Sequence, residues 1–176
     1  MKTFIKKLNA IDYRILFSLS FDITILEVIH FYLFAGYSHG GVVRYDKEDV
    51  EYHQIQKVMK QVFELLTNYV STEEYILECI RLITIIYLYQ PFFDGNSRTC
   101  LCFLKILLEQ RCMILHLDEN KEKINREILS VFYTPEDTLE FDSLHEVNHN
   151  LLKRLPPKKE DWYERVHEKN IELLWK

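Results

Sequence analysis

Gln90-Pro91-Phe92-Phe93-Asp94-Gly95-Asn96-Ser97-Arg98-Thr99 separates two long apolar, helix-patterned segments, and its reading decides the fold. Pro91 ends the helix before it, because proline pushes the preceding residue out of helical backbone and cannot donate to the ladder. Asp94-Gly95 suits a tight turn, and Asn96 is placed to cap a helix that resumes at Ser97. A helix starting there points unpaired N–H groups and a positive dipole end at whatever occupies the turn. Such an arrangement takes anions. Arg98 stands in the first helical turn, where a cation is unfavourable unless an anion is bound beside it. Asp94 adds a hard oxygen ligand suited to Mg²⁺ between phosphate oxygens. The same residues also suit an ordinary turn in which Arg98 is solvated or paired to Asp94.

Outward from this loop the apolar spacing is helical. Asp22 is placed to cap a helix through Ile25, Leu26, Ile29, Phe31 and Leu33 that ends at Gly36. Ile55, Val58, Met59, Val62, Leu65 and Leu66 form the stripe of a second helix. Ser71 and Glu74 read as a capping box for a third, in which apolar residues crowd Ile76 to Tyr89 too densely for a one-sided stripe. That helix should be central and buried. Leu101, Phe103, Leu104, Ile106, Leu107 and Leu108 mark the helix after the loop, and further helices are expected after Asp118, Pro135 and Pro157, the last amphipathic through Trp162, Val166, Leu173 and Leu174. Val42-Val43-Arg44-Tyr45 and Val50-Glu51-Tyr52, either side of polar Asp46-Lys47-Glu48-Asp49, predict a small β-hairpin. The fold class is all-α with one hairpin.

At 176 residues the chain can bury a core without metal or disulfide staples, and 48% apolar with 14% aromatic residues places it among folded domains. Twenty-two Lys and Arg against 27 Asp and Glu, with no basic cluster, lack the footprint of a nucleic-acid binder. No apolar run is long enough to cross a bilayer, and Asp12 and Arg14 interrupt the one that would follow a signal-like start. Cys79, Cys100, Cys102 and Cys112 lie in apolar segments without paired spacing, so they read as small buried hydrophobes in a reducing, cytoplasmic compartment. Delivery into another cell would leave no mark on this composition.

The loop resembles the Fic motif, His-Pro-Phe-x-Asp/Glu-Gly-Asn-Gly-Arg-Thr-x-Arg, with Gln90 at the histidine. Ile29-His30, then Gly40-Gly41-Val42-Val43-Arg44 and Asp49-Val50, are similar to the helix, Gly-x-x-Arg and hairpin that precede the motif in that family. The resemblance covers residues 20–117; it implies a Fic-like domain over 1–155, with residues 156–176 a C-terminal helix packing on or extending it. It also implies ATP with Mg²⁺ on the loop and transfer of AMP to a hydroxyl of another protein. By position, Asp94 would ligate Mg²⁺, Gly95, Asn96 and Ser97 would lie at the phosphates, Arg98 would pair with one, and Phe92 would anchor the loop in the core. The hairpin over 43–52 would be the flap along which the target protein docks, Val42 or Val43 pressing on target or nucleotide.

Departures from the motif matter as much as matches. An amide at Gln90 has no useful proton affinity near neutral pH. A general base typically contributes ~10²- to 10⁴-fold, so its absence costs on the order of 3 to 5 kcal/mol of barrier. Ser97 in place of the second glycine is a mild change, whereas Leu101 removes the motif's second arginine and with it a cation for the terminal phosphate. Glu27 does not fit the family's inhibitory helix, because Ile23 precedes it and Val28 follows. The expectation is therefore a Fic-type protein of lost or altered transferase activity, with a catalytically inactive interaction module on the same fold as the alternative. His145-Glu146-Val147-Asn148-His149 also fits HExxH, two imidazoles on one helix face for Zn²⁺ with Glu168 as a distant third ligand. Its charged surroundings read instead as a surface helix. His30, His39, His53, His116 and His167 lack ligand-like spacing.

Overall fold

The structure, a computed structural model, describes residues 22–113, which lie but for Met113 in the first of two units of the chain. The zinc-type motif, Glu168, the helices expected after Asp118 and the C-terminal helix fall outside the described residues. Four α-helices follow one another: α1, Ile23–Leu33; α2, Val50–Thr67; α3, Thr72–Tyr89; and α4, Asn96–Glu109. None of them is long and apolar enough to cross a membrane.

Each helix begins and ends where local chemistry directs. Asp22 accepts the Thr24 N–H at 2.8 Å and starts α1, as the sequence predicts. Ser71 accepts the Glu74 N–H at 3.2 Å and starts α3, the serine half of the expected capping box. Dense apolar content puts α3 in the middle: Leu77, Cys79, Ile80, Leu82, Ile83, Ile86 and Leu88 are buried, and the helix packs on both α2 and α4. Helix α1 packs on α4 and α2, burying Ile25, Leu26, Ile29 and Leu33. Among the cysteines Cys79, Cys100 and Cys102 are buried, but Cys112 is exposed beyond the end of α4, and all four are free.

The expected hairpin over 43–52 does not form. Val50, Glu51 and Tyr52 are the first turn of α2. The Asp46 N–H donates to the Asp49 carboxylate at 2.7 Å and the Asp49 N–H to the Asp46 carbonyl at 3.0 Å, so this polar turn closes into a helix start. Glu51 then suits the positive end of the α2 dipole. Valine and tyrosine read as strand formers by propensity alone, and the closed Asp46–Asp49 turn overrides them. What remains extended is a single antiparallel bridge between Val43 and Phe92, with the Arg44 N–H donating to the Pro91 carbonyl at 2.8 Å. The stretch expected to offer an edge to a target thus pairs with the loop itself.

Candidate functional site

The 90–98 loop is built from its backbone outward. Gln90 ends α3 in left-handed conformation, φ 49° and ψ 61°, which turns the chain sharply into Pro91. Its side chain then closes the corner: Nε2 donates to the Tyr87 carbonyl at 2.8 Å, and Oε1 accepts from Asn96 Nδ2 at 3.1 Å. Both ends of the amide are engaged within the junction of helix and loop.

Asn96 differs from its expected place. Gly95, not Asn96, is the N-cap of α4; Asn96 is its first residue, and the side chain turns back into the loop. Oδ1 accepts the Phe92 N–H at 2.8 Å and Nδ2 donates to the Phe92 carbonyl at 2.7 Å. Successive residues of an extended segment aim their N–H and C=O to opposite sides. Pro91 faces Arg44, so Phe92 faces the other way, and the buried amide of Asn96 stands in for a second strand. Phe92 is buried, the anchoring role expected of it.

Gly95 is required twice over. Its φ of +74° favours glycine, and a Cβ there would meet Cζ of Phe34 at 2.3 Å. Phe34, just past the end of α1, is therefore the floor of the loop. It carries Arg98 as well, whose guanidinium lies 4.5 Å from its ring centroid. Asp94 projects outward, its side chain 89% exposed; Oδ1 accepts the Gly95 N–H at 2.6 Å and Oδ2 lies 3.8 Å from Nη2 of Arg98, itself 42% exposed. Ser97 is half-buried in the first turn of α4, and Leu101, where a second cation was expected to be missing, is buried in the core. Asp94, Gly95, Asn96, Ser97 and Arg98 are thus gathered at one helix start, with Gln90 behind them.

His30 was expected to have no ligand-like role, and the structure makes it the pin of the site. Its Nδ1 accepts the Gly41 N–H at 2.8 Å, so Nε2 carries the proton and donates to the Asp94 carbonyl at 2.9 Å. The ring stacks on Phe92 with centroids 3.9 Å apart and planes 11° from parallel. One neutral imidazole therefore ties α1, the Gly40-Gly41 turn and the loop together. The available signal was a histidine on the apolar face of α1, since a buried polar group needs partners.

Burial pushes the His30 pKa below its ordinary 6.5, against the hydrogen bond to the Asp94 carbonyl, which favours the charged form. Between the lowered folded value and 6.5 the unfolded chain binds a proton that the folded chain does not, so stability rises with pH across that window. Urea unfolding midpoints are accordingly expected to be flat above about pH 6.5 and to fall on acidification below it. The His30→Gln variant should be less stable but lose this part of the slope.

No family model matches the sequence, and no curated protein matches it either. Among solved structures the chain is similar to the N-terminal Fic domain of a Bep effector protein, a VirB-translocated substrate of the VirB T4SS, from Bartonella sp. AR 15-3. The two are 20% identical, with 86% of this chain and 81% of that chain covered at a TM-score of 0.50. At that identity the likeness shows the fold alone, a helical Fic fold.

Proposed function

We propose that the chain is a Fic-fold protein whose 90–98 loop binds the phosphates of a nucleotide with a divalent cation, and which does not carry out ordinary AMP transfer. The observation that carries this reading is the division of labour at the loop. Gln90 is engaged at both ends of its amide and offers no base, whereas Asp94 stands exposed and Arg98 half-buried at the start of α4.

The donor set suits Mg²⁺ with ATP. Among the described residues no three His, Cys, Asp or Glu side chains gather into a metal cage. Mg²⁺ commonly takes one or two carboxylates and completes its shell with phosphate oxygens and water. Asp94 would hold it, and the cation would neutralise charge on the phosphates. The first turn of α4 and Arg98 would orient the phosphate group. Leu101 leaves the terminal phosphate without the cation that the motif supplies, so the grip should be weaker than in a complete motif.

Titration calorimetry with ATP and MgCl₂ is the test. Binding by the wild type is expected, weakened at least tenfold in both Arg98→Ala and Asp94→Ala, in line with ~1.5–3 kcal/mol for a hydrogen bond to a charged group. Absence of heat from the wild type, or wild-type affinity in both variants, would sink the reading. A catalytically inactive interaction module is favoured by one observation, the exposure of Phe93 and Val42 at 63% and 49% around the loop. For that module ATP would give no heat while a protein partner would lose affinity in Phe93→Ala.

A further inference from the structure

We infer that Phe34 is a positioning residue of the site: its ring holds the Arg98 guanidinium ready for a phosphate without occupying the donors that would grip it. The inference rests on the phosphate-binding reading above, but the observations that carry it lie at the end of α1, outside the loop. Arg98 lies over the Phe34 ring, its Cζ 4.5 Å from the centroid. Its ion pair with Asp94 is long, at 3.8 Å, and the Asp94 side chain is exposed, so water screens that contact and the ring is the firmer hold. A ring face attracts a cation through its quadrupole and supplies no oxygen that a phosphate would have to displace. The N–H donors of the guanidinium are thereby left to the anion.

Phe34 is itself fixed from several directions. It caps the end of α1, its N–H donating to the His30 carbonyl at 2.9 Å, and its side chain is buried. The His30 ring lies against it with centroids 4.6 Å apart and stacks in turn on Phe92. A chain of ring contacts, Phe92 to His30 to Phe34, therefore runs from the anchor of the loop to Arg98. Gly95 completes the seat: a Cβ there would fall 2.3 Å from Phe34 Cζ, so the absent side chain is what gives the ring its place. Arginine is long and rich in rotamers, and ordering it only on binding would cost affinity. Held over a fixed ring, Arg98 is ordered when the protein folds, before a ligand arrives.

Phe34→Leu keeps an apolar side chain at the seat and removes the π face. By proton NMR, the side-chain protons of Arg98 in the wild type should resonate upfield, shielded by the ring, and return to ordinary positions in the variant. By calorimetry, ATP with MgCl₂ should bind Phe34→Leu about three- to tenfold more weakly than the wild type, the cost of ordering one long side chain on binding. In an Arg98→Ala background the same substitution should change nothing, because the two residues act as a unit. A wild type without the upfield shift overturns the inference, even where Phe34→Leu is too unstable to titrate. Equal weakening in both backgrounds overturns it as well, since the ring would then only support the loop. Unchanged or tighter binding by Phe34→Leu, with ATP still bound by the wild type, overturns the positioning role while the phosphate site stands. If the wild type binds no ATP, the phosphate-binding reading falls and the positioning role with it.

Discussion

Asn96→Ala is expected to destabilise the folded protein by about 3–5 kcal/mol, read as a drop in the urea midpoint at unchanged slope, because it strands two buried backbone groups at once. The Asn96 side chain accepts the Phe92 N–H and donates to the Phe92 carbonyl, and Phe92 itself is 1% exposed. A buried polar group left without a partner costs ~1–3 kcal/mol, so the pair accounts for most of the loss. The bond from Asn96 to Gln90 Oε1 goes too, which loosens the corner at the end of α3. Asn96→Asp separates the acceptor from the donor. It retains the acceptor for the Phe92 N–H but faces the Phe92 carbonyl and Gln90 Oε1 with oxygens in place of a donor, so it should recover part of its deficit when protonated at low pH. A loss below about 1 kcal/mol in Asn96→Ala would mean that the loop is held by the His30–Phe92 stack and not by this amide.

That dependence explains which parts of the fold were legible in the sequence. Caps with a side-chain oxygen, Asp22 and Ser71, announce their helices because the donor they satisfy is two or three residues away. The apolar crowding from Ile76 to Tyr89 likewise told that α3 is central, since a helix with no polar face has nowhere else to go. The first turn of α2 was misread because Val50 and Tyr52 carry strand propensity, while the deciding contact is the reciprocal pairing of Asp46 and Asp49. At the loop, residue types led to the expectation of a metal ion at Asp94 and a phosphate at Arg98, and they misplaced Asn96 by one position. A capping asparagine and one that folds back on Phe92 look alike in sequence; Gly95, able to take φ +74° at the cap, decides between them. His30 and Phe34 were missed as parts of the site for another reason. They reach it from 60 or so residues away, through a ring stack, a hydrogen bond and a contact with a glycine, none of which has a local pattern.

Gln90→His should raise label transfer from α-labelled ATP, in the presence of Mg²⁺, by ~10²- to 10⁴-fold over the wild type, read as modification of the protein on itself. The backbone admits the change, since position 90 has φ 49° and histidine is among the residues enriched in left-handed conformation. The two hydrogen bonds made by the Gln90 amide would be lost or remade, a penalty of about 1–3 kcal/mol to the loop that thermal melting would register without abolishing the fold. In exchange the site gains an imidazole with an ordinary pKa near 6.5, able to take the proton of a hydroxyl as its oxygen bonds to phosphorus and pyrophosphate leaves. Transfer should therefore rise with pH through about 6.5 and level off above it. Gln90→Ala is the control, because it loosens the corner equally but supplies no base, and it should stay at the wild-type level. Should Gln90→His transfer no more than Gln90→Ala, while Mg²⁺ and ATP still bind, position 90 is not the only defect; the missing cation at Leu101, buried in the core, becomes the next cause to test, and the phosphate site stands as a binding site alone.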